Sequence, residues 1–230
     1  MATNMVLEKP PQTGKKTVLV VDDHPLMRQG LALLINQQHD MQVCGEAEEA
    51  QAALQAIARL RPDIMILDIS LKGPDGIEIL KNIRATDPAL PVLVLSMHDE
   101  AIYAERALRA RANGYIMKQE ATEKVLVAVR RILSGEVYLS ERMSNKMLQQ
   151  YIGGAPNMIQ SRIASLSDRE LEVFRRIGEG RATREIAEEL HLSIKTVETY
   201  QAHIKEKLAL RSGRELIQHA IQWKINEKTA

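Results

Sequence analysis

Val18-Leu19-Val20-Val21-Asp22-Asp23 is an apolar run of four that stops on a pair of carboxylates. Three more runs have the same form. Ile64-Met65-Ile66-Leu67 ends on Asp68, Pro91-Val92-Leu93-Val94-Leu95 on Ser96, and Gly114-Tyr115-Ile116-Met117 on Lys118. A short apolar run without alternation marks a strand buried on both faces, as in a parallel sheet. Ligands of open α/β sheets collect at the carboxyl ends of such strands. The five polar groups are therefore expected in one crevice.

Their types describe a site for a hard metal ion and a phosphoryl group. Close carboxylates do not all stay ionised without a counter-charge, and Mg²⁺ supplies one because it prefers oxygen ligands. A remaining carboxylate can then attack phosphorus to give an acyl phosphate, while the metal, an ammonium and a hydroxyl stabilise the charge developing on the phosphoryl oxygens. Asp68 is the expected nucleophile, alone at its strand end and followed by the loop Gly73-Pro74-Asp75-Gly76. Asp22 and Asp23 are expected to hold the metal, and Lys118 to pair with the phosphate.

Between these runs the pattern is helical. Pro25 suits a first helical position, and Leu26, Gly30, Leu33 and Leu34 recur at helical spacing. A second strand near Met41–Gly45 precedes a helix with Ala50, Ala53, Leu54 and Ile57 on one face. Further helices are expected near 76–85, 100–111 and 122–134. Five alternating pairs predict a doubly wound parallel sheet, (βα)5 in form.

Residues 17–134 resemble the receiver domain of two-component response regulators. The resemblance implies that Asp68 is the phospho-acceptor, with Asp22 and Asp23 as the acidic pair and the backbone carbonyl of Ser70 completing the metal's ligands. Ser96 falls at the switch hydroxyl, Tyr115 at the switch aromatic and Lys118 at the lysine position. Ser70 and His98 occupy two variable positions that in the family tune dephosphorylation, and Gln119 stands where many receivers have proline.

After residue 134 the strands stop. Residues 135–164 read as a linker with one short helix, Ser140 to about Tyr151, and with the turn-forming run Gly153-Gly154-Ala155-Pro156-Asn157. From residue 165 to 230 the reading is all helical. Ser167-Asp168-Arg169-Glu170 forms a capping box, followed by an apolar stripe of Leu171, Phe174 and Ile177 that Gly178 and Gly180 end. Thr183 is expected to cap a second helix with Ile186, Ala187 and Leu190 inward. Ser193 is expected to cap a third, Ile194 to about Leu208, after the tight turn at His191. Val197, Ile204 and Leu208 form its inner stripe, which leaves Lys195, Glu198, Thr199, Ala202 and Lys205 outside.

Two short helices around a tight turn suit helix-turn-helix DNA binding, although a plain helical bundle with solvating lysines has the same periodicity. Residues 165–221 resemble the LuxR-type helix-turn-helix domain through Leu166–Glu170, Glu185-Ile186-Ala187, Ser193–Thr199 and Arg211–Leu216, apart from a small residue at Gly213. Behind a receiver, that domain implies the NarL/FixJ subfamily. The resemblance implies a regulator that binds double-stranded DNA through Lys195, Thr196, Glu198, Thr199, Ala202 and Lys205. It also implies loading by a sensor histidine kinase or a small phosphodonor and a homodimer when phosphorylated, with RNA polymerase a further candidate partner. Whether the receiver inhibits the DNA-binding domain or only dimerises it stays open, as do the stimulus, the target genes and the phosphate lifetime.

Composition bounds the alternatives. The chain has 230 residues, 45% hydrophobic and only 3% aromatic, so its cores are aliphatic. The single cysteine, Cys44, excludes an intrachain disulfide and suits a reducing cytoplasm. No apolar stretch reaches the ~18–20 residues of a membrane helix, and residues 1–16 read as a flexible tail without a signal peptide's apolar centre. Residues 17–134 hold 13 Lys and Arg against 16 Asp and Glu, and residues 161–230 hold 13 against 11. That modest asymmetry permits nucleic-acid binding without establishing it. His24 adjoins the acidic pair, but no second histidine or cysteine stands at zinc-ligand spacing. A haloacid-dehalogenase-like phosphohydrolase also uses an aspartyl nucleophile at a strand end, but it wants a second aspartate where this chain has Ser70. The chain is therefore read as a regulator and not an enzyme; an orphan regulator working without phosphate is the third reading.

Overall fold

A computed structural model describes residues 14–71, 76–98, 100–152, 162–163 and 165–229. The expected tail, most of the loop after Asp68 and the Gly153–Asn157 run lie outside the described residues. Five strands, β1 (Lys16–Val21), β2 (Met41–Ala47), β3 (Ile64–Asp68), β4 (Val92–Ser96) and β5 (Gly114–Met117), form one sheet in the order β2-β1-β3-β4-β5. Every pairing is parallel. β3 and β4 are buried along their whole length, as expected of strands covered on both faces.

Five helices cover the sheet: α1 (Pro25–Asn36), α2 (Ala50–Leu60), α3 (Gly76–Thr86), α4 (Glu100–Arg109) and α5 (Ala121–Leu133). On one side α1 and α5 pack Leu31, Ile35, Val125 and Val129 on the sheet; on the other, α2, α3 and α4 pack Ile57, Leu80 and Ala104. The sequence order reverses between β1 and β3, and there the crevice of a doubly wound sheet opens. The Asp22-Asp23 pair and Asp68 stand on its two sides.

The residues whose spacing marked α1 as a helix are not the ones it buries deepest. Leu26 and Leu33 are 85% and 63% exposed, and the helix buries Leu31 and Ile35 instead. The stripe lies on another side of the helix because the i,i+4 pair Leu31 and Ile35 meets the sheet.

The segment after α5 is bound to the receiver. The Tyr138 N–H donates to Asn113 O and its carbonyl accepts from the Tyr115 N–H, so the chain returns along the β5 edge. The helix α6 (Glu141–Tyr151) packs against α4 through Met143, 1% exposed. The expected linker therefore starts with residues tied to the receiver.

The C-terminal helices are α7 (Asp168–Gly178), α8 (Thr183–Glu189), α9 (Ile194–Lys207) and α10 (Gly213–Thr229). The Ser167 Oγ accepts from the Glu170 N–H, and the Glu170 carboxylate accepts from the Ser167 N–H, which completes the expected box. The expected cap of α8 shifts by one residue. Ala182 is the N-cap, with its N–H given to the Glu185 carboxylate, because Thr183 is already helical and its Oγ1 accepts from Gln201. Ser193 caps α9 as expected. Trp223 anchors α10 on Phe174, ring centroids 5.4 Å apart.

Candidate phosphoryl site and nucleic-acid interface

The strand ends bring the expected groups together. The Lys118 ammonium lies 2.7 Å from Asp68 Oδ2 and 2.7 Å from Asp22 Oδ2. Asp22, Asp68 and Ser96 are 1%, 0% and 0% exposed, and Lys118 is 6%. Burial works against the ammonium, but Asp68 and Asp22 outweigh it and raise the Lys118 pKa. Burial pushes the Asp68 carboxyl up, opposed by Lys118 and the Ser70 N–H and reinforced by Asp22. Two carboxylates share one ammonium, so the pocket carries an excess of buried negative charge.

Asp22, Asp23, His24 and Asp68 offer ligand atoms within 4.8 Å of one another. With Lys118 the one ammonium paired to them among the described residues, three close carboxylates have the oxygen donors and the unbalanced charge that fit a hard divalent ion. The His24 Nδ1 lies 2.7 Å from Asp23 Oδ1 and 3.2 Å from Asp22 Oδ1, and its side chain is 63% exposed, so it engages the carboxylates from the solvent side.

Around this pocket stand the switch groups. Ser96 Oγ accepts from the His98 N–H at 3.0 Å. Tyr115 is turned inward, 1% exposed, and its hydroxyl donates to His98 O at 2.9 Å. The His98 ring, whose role sequence reading left to the resemblance alone, lies 3.2 Å from Ser70 Oγ and stacks on Tyr103. Burial, with help from Arg175, pushes the His98 pKa down to about 3, so its imidazole is neutral.

Sequence reading missed the contact between the two halves. Arg106 of α4 donates to the Asp168 carboxylate at 2.9 Å, to Leu166 O at 2.7 Å and to Ile163 O at 3.3 Å. Lys81 of α3 meets the same carboxylate at 2.7 Å, and Arg169 meets Glu78. In sequence Asp168 and Arg169 belong to the capping box, and Arg106, Lys81 and Glu78 carry no assigned role; Arg106 stands at i+3 from Tyr103 on α4.

On the outer face of α9, Lys195, Glu198, Thr199 and Ala202 are exposed, and Thr196 and Lys205 are half-buried. Among the described residues neither Lys195 nor Glu198 has an ion pair. The Thr199 hydroxyl donates to Lys195 O at 2.9 Å, which leaves its methyl group outward. The docked receiver does not cover this face.

Residues 18–130 match the response regulator receiver domain, and residues 164–220 match the bacterial regulatory proteins of the luxR family. The chain is a response regulator. It is 34% identical over 212 residues to the oxygen regulatory protein NreC of Staphylococcus carnosus, with 90% of this chain and 98% of that one covered. NreC of Staphylococcus aureus is 32% identical over 214 residues, covering 91% and 99%. Among solved structures, the RcsB response regulator of Salmonella typhimurium matches with a TM-score of 0.69 at 26% identity, covering 91% and 98%. RcsB of Salmonella enterica bound to the promoter P1flhDC with the phosphomimetic BeF3⁻ matches at 0.66 and 27% identity, covering 90% and 98%. This response regulator is thus a phosphorylation-controlled, DNA-binding transcription regulator of NarL/FixJ type.

Proposed function

We propose that Asp68 accepts the phosphoryl group, from the phosphohistidine of a sensor kinase or from a small phosphodonor, with Mg²⁺ held by Asp22, Asp23, Asp68 and the Ser70 carbonyl. The observation that carries this reading is the buried Asp68 carboxylate sharing the Lys118 ammonium with Asp22. The ion would offset the like charges of the three carboxylates and draw charge from the phosphoryl oxygens. Asp68 attacks phosphorus, the bond to the donor breaks, and Lys118 meets the transferred group. Ser96 then donates its hydroxyl to a phosphoryl oxygen. That donation moves the loop carrying His98, and with it the hydroxyl contact of Tyr115.

The readout lies in the DNA-binding half. Because the outer face of α9 is open while the domains touch, burial of the reading helix does not account for control. Phosphorylation would instead loosen the α3–α4 clamp on α7 and free two DNA-binding domains to pair. A two-fold homodimer would read half-sites about 10 bp apart on one face of the duplex, and RNA polymerase would be met there. No described helix is long and apolar enough to cross a membrane, and we place the work of this regulator in the cytoplasm. Incubation with acetyl phosphate and Mg²⁺ tests the reading. One stable phosphoryl group per chain supports it, rapid release of phosphate indicates a phosphohydrolase, and no labelling indicates a regulator that works without phosphate.

A further inference from the structure

Three consecutive residues in the first turn of α7 meet different partners. Asp168 meets Lys81 and Arg106 of the receiver, and Arg169 meets Glu78 of α3. Glu170 serves α9 instead. Its Oε2 accepts from the Lys207 ammonium at 2.6 Å, and its Oε1 lies 3.7 Å from His203 Nδ1. His203 and Lys207 stand one turn apart at the C-terminal end of α9. The same Oε2 accepts from the Ser167 N–H at 2.6 Å, so the carboxylate that closes the α7 cap also holds the last turn of α9. Glu170 is 3% exposed. Burial works against its charge, but Lys207 and Ser167 outweigh it and hold its pKa below the usual carboxylate range.

This contact differs in kind from the rest of the α9 seat. Val197, Ile204 and Leu208 are buried aliphatic side chains, and their packing is non-directional. It fixes how deep the helix sits but holds its roll about the axis only weakly. A charge-assisted hydrogen bond adds a direction. Gln201, which donates to Thr183 Oγ1 of α8 at 3.1 Å, is a second polar tether nearer the middle of the helix. Thr199 lies about two turns from Lys207, and groups that recognise a ligand need holding to about 0.5 Å. Lys207 is thereby engaged, unlike Lys195 and Lys205, which have no ion pair among the described residues.

We propose that Glu170 is a positioning residue for DNA reading: through Lys207 it sets the roll of α9 in the major groove, and Lys207 itself is a tether and not a phosphate contact. The proposal rests on the reading of α9 as the helix that enters the groove. Glu170 touches no base. It keeps Glu198 and Thr199 at the angle from which base edges are met. Lys195 and Lys205 reach phosphates on flexible four-carbon stems, so their contacts tolerate a helix that rolls. Loss of the tether therefore costs sequence preference and spares the sequence-blind part of the affinity.

The test uses the full-length protein and fluorescence anisotropy over a series of salt concentrations. The probes are a duplex that the wild-type protein selects from a random pool and a scramble of the same composition. Glu170→Gln keeps the cap, because glutamine also serves at that position of a capping box, but loses the ionic hold on Lys207. Lys207→Ala breaks the tether from its more exposed end, the side chains being 39% and 5% exposed, and so tests it even if Glu170→Gln does not fold. Each should lower the ratio of the two affinities by about fivefold, within the range for coupled neighbours. Lys207→Ala should leave the slope of log K against log salt unchanged, whereas a lost phosphate contact lowers it by about one unit. The two changes together should do no worse than either alone, and Lys207→Arg, which still reaches the carboxylate, should keep most of the ratio. An unchanged ratio in the folded variants, additive losses in the pair, or a slope lowered by one unit in Lys207→Ala overturns the proposal. Thr199→Ala and Lys205→Ala proteins that lose affinity equally on both duplexes remove the reading of α9 itself, a result that no change at Glu170 or Lys207 can mimic.

Discussion

The Asp68 pocket and the outer face of α9 both consist of a few polar side chains, held in opposite ways. In the pocket Asp22, Asp68, Ser96 and Lys118 are almost wholly buried, and the three charged groups are tied by ion pairs. On α9, Lys195, Glu198 and Thr199 stand in solvent, with the two charged ones unpaired among the described residues. Folding orders the pocket, so its chemistry is preorganised for a charge that arrives later. On the outer face of α9 no ion pair among the described residues holds the two charged groups, and in the proposed complex the duplex would supply their partners. Substitutions in the pocket should therefore change chemistry and folding together, whereas substitutions on α9 should change binding alone.

The largest effect expected is all or none. Asp68→Asn keeps the shape of the side chain and removes the nucleophile, so Mg²⁺-dependent labelling by acetyl phosphate should vanish while circular dichroism stays native. Persisting label would move the acceptor to another carboxylate. Next comes Lys118→Ala, which strands Asp22 and Asp68 without their ammonium. Removing one partner of a buried ionic set costs about 3–5 kcal/mol. Urea unfolding of Lys118→Ala without divalent ions should show a loss of that order, and Mg²⁺ should return part of it by binding only the folded state. Lys195→Ala, its exposed counterpart, should stay within about 0.5 kcal/mol of wild type. Equal losses from the two lysines would erase the contrast drawn here.

The pocket was legible in sequence for the reason that makes it rigid. A strand buried on both faces leaves an unbroken apolar run, and the polar residue that ends it lies on the crevice, so Asp22, Asp23, Asp68, Ser96 and Lys118 announced themselves by position. The outer face of α9 was legible only by elimination, once Val197, Ile204 and Leu208 had been given to the core. Leu26 and Leu33 marked the helix without marking its buried side, because an apolar residue at helical spacing need not face the sheet. The clamp of Arg106 and Lys81 on Asp168 was not legible at all. A charge that meets its partner across 62 or 87 residues looks the same in sequence as one that meets water.

Gly178 sharpens the comparison from inside the DNA-binding half. A Cβ there would fall 2.5 Å from the Ala220 carbonyl oxygen and 3.2 Å from Lys224 Cβ. The first neighbour is backbone, so α10 must move to admit even a methyl group. Overpacking of this kind costs about 1–3 kcal/mol. Gly178→Ala should lower the melting temperature of the DNA-binding half and leave the rate of Asp68 labelling unchanged. A fall in labelling of the folded protein would mean that α10 supports the pocket as well as α9.

The smallest effects are expected on α9, and they separate the two kinds of DNA contact. The Thr199 hydroxyl is spent on Lys195 O, so the group it presents is its methyl, suited to packing on a thymine methyl in the major groove. Thr199→Ala deletes that methyl and should relax preference at one base-pair position, at about 1–3 kcal/mol on the preferred site. Lys205 lies toward the far end of the same helix and suits a phosphate, a contact that positions the protein without reading sequence. Lys205→Ala should weaken binding to all duplexes alike and lower the slope of log K against log salt by about one unit. Fluorescence anisotropy on preferred and scrambled duplexes over a series of salt concentrations measures both. Neither change should alter labelling, and unfolding should shift little, because the Thr199 hydroxyl bonds within its own helix and Lys205 has no ion pair among the described residues. Should the two variants lose affinity equally on both duplexes, α9 is not the helix that reads.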